Sequence, residues 1–154
     1  MTRAWYACTA TGSPDAFALA ILETIRPYAL IAEARIDDDF AGAPADAVQA
    51  FEELVEPRTT WQRTVAQLRR GHPVARVHVT DDDDWARLLA CAAWVHTVEA
   101  IESGQASVAR MTDRGHLAVV HLPEEGVFEL QAALRGVGTL RELKDNAGWW
   151  SLKR

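Results

Sequence analysis

Between Val74 and Thr80 the chain reads Val-Ala-Arg-Val-His-Val-Thr, with apolar side chains at every second position. A period of two belongs to a half-buried β-strand, here with Ala75, Val77 and Val79 on one face and Val74, Arg76, His78 and Thr80 on the other. Directly afterwards the period changes. Thr80 with Asp83 offers a capping pair, and from about Asp82 to Glu102 the residues Trp85, Leu88, Leu89, Ala92, Trp94, Val95, Val98 and Ile101 cover most of a helical circumference. That pattern predicts a long, central, largely buried helix. A strand followed at once by such a helix calls for a layered fold in which helices pack on a sheet.

The same alternation of periods runs through the rest of the chain. Arg3 to Ala10 is an aromatic-rich run that suits a buried strand. Ser13, Pro14 and Asp15 supply a cap, a first-turn proline and a negative charge for a helix that carries Phe17, Ile21, Leu22 and Ile25 and stops near Arg26, before Pro27. Residues 30–36 alternate as a second strand. A short helix over 47–56 and another from Thr59 to Gly71 follow the unpatterned stretch 37–46. Ala106 to Thr112 and His116 to Leu122 read as a hairpin joined through Asp113, Arg114 and Gly115, with the glycine where positive φ is needed. Pro123 then opens a helix with Val127, Leu130, Leu134 and Val137 on one face, and Thr139 with Glu142 suggests a short last one. The expectation is a single globular domain over 1–154 of α+β (mixed α/β) type. Its sheet should be mixed, of about five strands with an antiparallel hairpin, under four to six helices.

Composition narrows the function classes. Hydrophobic residues at 49% and charged residues at 25% are those of an ordinary globular chain of 154 residues. Cys8 and Cys91 lie in apolar surroundings and read as two buried thiols in a reducing compartment such as a bacterial cytoplasm. The first thirty residues are broken by Arg3, Asp15, Glu23 and Arg26, which argues against a signal segment or a membrane span. A net charge of −6 speaks against general nucleic-acid affinity.

The tests for chemistry are negative. Neither Asp37-Asp38-Asp39 nor Asp81-Asp82-Asp83-Asp84 continues into a calcium loop, because the twelfth positions are Val48 and Ala92 rather than a bidentate carboxylate. The five histidines form no zinc motif, no Gly-x-Ser-x-Gly elbow is present, and Gly136-Val137-Gly138 follows a helix rather than a strand. No cofactor or metal is expected.

Three sets of residues remain as candidates. Asp37, Asp38, Asp39 and Asp81 to Asp84 exceed what a helix start needs, and point to an acidic surface that engages a basic protein partner, as in an immunity or adaptor protein. Trp149 and Trp150 would either dock on their own domain or anchor an interface, including one between copies of this chain. From a different class, Arg76, His78, His121 and Glu124 would suffice for acid/base chemistry on an anionic ligand, should the strand order bring them together.

Overall fold

The computed structural model describes residues 2–36, 42–55 and 74–144. Among these residues seven strands are found: β1 (Arg3–Ala10), β2 (Ile31–Arg35), β3 (Val74–His78), β4 (Thr97–Ile101), β5 (Ser107–Thr112), β6 (Leu117–Pro123) and β7 (Gly138–Glu142). They form one sheet in the order β3-β2-β4-β5-β6-β1-β7, and every neighbouring pair is antiparallel. Among the described residues four α-helices accompany it: α1 (Pro14–Ile25), α2 (Ala45–Val55), α3 (Asp82–Cys91) and α4 (Glu124–Ala133). The sheet is therefore larger than the five strands expected, and antiparallel rather than mixed.

The two additional strands account for the difference. The long helix expected over 82–102 ends at Cys91, and its second half turns back as β4 in the middle of the sheet. A continuous apolar run has no readable period, so β-branched Thr97, Val98 and Ile101 go to the strand only because β2 and β5 flank them. Likewise the Thr139 and Glu142 spacing imitates a helix cap, whereas Gly138–Glu142 pairs along β1 as an edge strand. Gly138 is required there. A Cβ on it would stand 2.8 Å from the Phe17 ring and 3.0 Å from the Thr9 carbonyl, so only a glycine lets β7 pass this close to α1.

The core lies between the sheet and the helices. Phe17, Ile21, Leu22 and Ile25 of α1, Phe51 of α2, Trp85 and Leu88 of α3 and Leu130 of α4 form one buried cluster with Ala32, Val77, Val98, Ala109, Val120 and Leu122 of the sheet. Complete burial of a side chain of this size contributes about 1.5–3 kcal/mol. The helix expected from Thr59 to Gly71, and with it Trp61, lies outside the described residues. Trp5, expected in the core, is instead half-buried on the opposite face, where the register puts it beside His121.

That opposite face carries polar residues. Across β3, β2, β4 and β5 the register aligns Arg76, Glu33, Glu99 and Arg110 in one row. Glu33, only 6% exposed, accepts hydrogen bonds from Arg76 Nε (3.0 Å) and Arg35 Nη2 (3.1 Å). Burial pushes its carboxyl upward, but the two guanidinium partners outweigh that and hold it below the ordinary glutamate range.

Candidate binding surface

Helix α3 begins at Asp81, the true N-cap, whose carboxylate accepts the backbone N–H of Asp84 (3.0 Å). Asp82 pairs with Arg26, at the end of α1, and Arg26 Nε–H also donates to the Val79 carbonyl (2.9 Å). The same guanidinium lies 5.0 Å over the ring of Trp85, which is 1% exposed and donates its indole N–H to Glu23 (3.0 Å). Asp84 accepts from Arg87 Nη1 (2.9 Å), and Arg87 Nε reaches Glu53 on α2 (2.8 Å). Three of the four aspartates thus have work inside the fold. Asp83 is exposed and makes no ion pair among the described residues.

Helix α4 begins differently. Its N-cap is Pro123, which offers no side-chain bond, and Glu124 and Glu125 occupy the first turn. Phe128 stands 74% exposed, and with Thr2, Glu124, Glu125 and Glu129 it lines an open hollow of roughly 660 Å³. None of the three glutamates has an ion pair among the described residues. Tyr28 packs over Gly126, where a Cβ would come within 3.0 Å of the tyrosine oxygen. Burial, together with the charges of Glu129 and Glu125, raises the Tyr28 hydroxyl pKa, against the opposing effect of Arg3. Tyr6 is raised too, by burial first and then by Glu142 and Glu124.

These two helix starts, separated by forty residues of sequence, come to the same end of the molecule. The link is the end of α1, where Arg26 holds Asp82 and Tyr28, two residues on, holds Gly126. Asp81 to Asp84 thus lie on one side of the end of α1 and Glu124, Glu125 and Glu129 on the other, at the same end of the sheet, where Arg26 and Arg87 pair with Asp82 and Asp84 and Arg3 pairs with Glu102 (2.8 Å).

The other candidates are placed apart. Arg76 and His78 are on β3 at one edge, and His121 is on β6, with β2, β4 and β5 in between. All three side chains belong to the polar face, yet four strand spacings of roughly 4.8 Å separate them by about 19 Å. Arg76 is bound to Glu33, and His78 is exposed. His121 stacks on Trp5 at 4.4 Å between ring centroids. Burial, then the Arg3 charge, lowers its pKa, with Glu102 acting in the opposite sense. Glu124 belongs to the hollow beside Phe128. Asp37, Asp38, Asp39, Trp149 and Trp150 lie outside the described residues.

Sequence reasoning overlooked Arg26, Tyr28, Glu125, Phe128 and Glu129. A usable signal was present: Phe128 falls off the stripe formed by Val127, Leu130 and Leu134, with Glu124 and Glu125 at helical spacing before it and Glu129 next to it. Cys8 and Cys91 are free and buried, and burial pushes both thiols up to about 12, the reverse of a reactive thiolate. Among the described residues no group of three or more His, Cys, Asp or Glu could hold a metal ion, and no helix is long and apolar enough to cross a membrane. No family model, curated protein or solved structure matches the chain.

Proposed function

We propose that this is a small non-catalytic protein-binding domain that engages a basic partner through its acidic edge, in the manner of an immunity or adaptor protein. The observation that carries the reading is that the α3 and α4 N-termini flank the end of α1, which brings carboxylates from two distant stretches to the same end of the molecule. A field of one sign speeds the encounter with an oppositely charged partner and selects against wrong ones. Two buried free thiols are compatible with a reducing compartment as the place where this happens.

The test uses a fluorescein-labelled arginine- and lysine-rich peptide, followed by anisotropy over a salt series. Binding should weaken as salt rises. Changing Asp82, Asp83 and Asp84 to Asn, or Glu124, Glu125 and Glu129 to Gln, should weaken it further and flatten the salt dependence. Neutralising Asp46, Glu52 and Asp113 instead removes the same charge from elsewhere and should do much less. Equal losses from all three sets would mean that net charge alone attracts the peptide, and the reading would be lost.

A further inference from the structure

We propose that the hollow at the start of α4 is a receptor for an arginine side chain of the partner, with the guanidinium lying on the Phe128 ring and held by the carboxylates of Glu125 and Glu129. This rests on the binding reading above and gives the partner's contact residue a chemical identity.

Two observations support the assignment. A phenylalanine 74% exposed beside an open hollow of roughly 660 Å³ leaves an aromatic face that the described residues do not cover, while the carboxylates around it make no ion pair among the described residues. The ring supplies apolar contact and a negative π-face, and the carboxylates supply the counter-charge. A planar, weakly hydrated cation that can stack and donate two parallel hydrogen bonds at once satisfies both, as arginine does and lysine does not.

The second observation is that the chain already makes this arrangement once. At the start of α3, Arg26 lies 5.0 Å over the Trp85 ring and pairs with Asp82 in the first turn of the same helix. Helix α4 repeats the acidic first turn followed by an aromatic residue, in Glu124-Glu125 and Phe128, but none of the ion pairs or ring contacts described supplies it with an arginine. The partner would bring the missing guanidinium.

The experiment is a titration of the isotope-labelled full chain, read by amide chemical shifts, with a capped Gly-Ser-Arg-Ser-Gly peptide and its lysine twin. Shifts concentrated at residues 124–129, with the arginine peptide bound more tightly, are expected. Phe128→Ala should weaken the arginine peptide about two- to fivefold, the worth of an exposed cation–π contact, and affect the lysine twin less. Glu125→Gln with Glu129→Gln should weaken both. Phe128 and the glutamates are exposed, so these variants keep the fold. Shifts confined to residues 81–84 would overturn the arginine receptor while leaving the acidic edge as a binding surface; no shift at either helix start would overturn both. Indifference of the arginine peptide to Phe128→Ala would also overturn it.

Discussion

Helices α3 and α4 open with the same ingredients, acidic residues in the first turn and an aromatic residue shortly after, and use them in opposite ways. In α3 the aromatic is Trp85, buried and hydrogen-bonded to Glu23, while Asp81 caps the helix and Asp82 and Asp84 pair with Arg26 and Arg87. In α4 the aromatic is Phe128, turned outward, and the glutamates have no such partners among the described residues. Acidic clusters that look alike in sequence thus divide into one that holds the fold together and one whose carboxylates make no ion pair among the described residues.

The widest separation should come from the aromatics themselves. Trp85→Ala empties a core site and should cost about 3–5 kcal/mol in urea unfolding. Phe128→Ala should stay within about 0.5 kcal/mol, as for other surface changes. A large loss from Phe128→Ala would break the contrast.

Next in size is Arg26→Ala, which removes the Asp82 pair, the bond to the Val79 carbonyl and the contact with the Trp85 ring. Asp82 is mostly exposed, so the ion pair itself adds little. The hydrogen bond and the ring contact should bring the total to about 1–2 kcal/mol of stability.

Asp81→Ala should cost about 1 kcal/mol by uncapping α3. Glu124→Ala in α4 removes no cap and no ion pair among the described residues, and the loss of its interaction with the helix dipole should cost a few tenths, about 0.3–0.5 kcal/mol. Equal losses would show that α4 also depends on its acids for stability.

The smallest effect is spectroscopic. Burial and the Glu129 and Glu125 charges disfavour the Tyr28 phenolate, so Glu125→Gln with Glu129→Gln should bring its alkaline titration down towards the ordinary tyrosine value. Burial, the larger cause, stays, and the return should be partial. An unchanged Tyr28 titration, followed by its ring signals, would place those carboxylates too far away to act on Tyr28.

Much of the fold was legible because local chemistry and tertiary need agree. Ser13, Pro14 and the Phe17, Ile21, Leu22, Ile25 stripe specify α1, and all four apolar residues are buried. Alternation over 74–78 gives β3 with Ala75 and Val77 inward, and the hairpin of β5 and β6 turns through Gly115 at φ +76°. Reading failed where a segment owes its state to neighbours. β4 is apolar enough for a buried helix and becomes a strand because β2 and β5 supply its backbone partners. The candidate surface was half legible: Asp81 to Asp84 stand out in the sequence, but that Arg26 and Arg87 pair with two of them does not.

By itself, then, the sequence determined an acidic α/β chain with two buried thiols, the position of most elements, and the absence of any familiar catalytic motif. Only the tertiary structure decided strand order, which sets Arg76 and His78 about 19 Å from His121. It also decided that the α3 and α4 N-termini flank the end of α1, and the outward turn of Phe128. The physical reason is range. Caps, turns and periodicity act over a few residues of chain, whereas strand order and the pairing of charges depend on contacts between residues far apart in sequence, which no local pattern encodes.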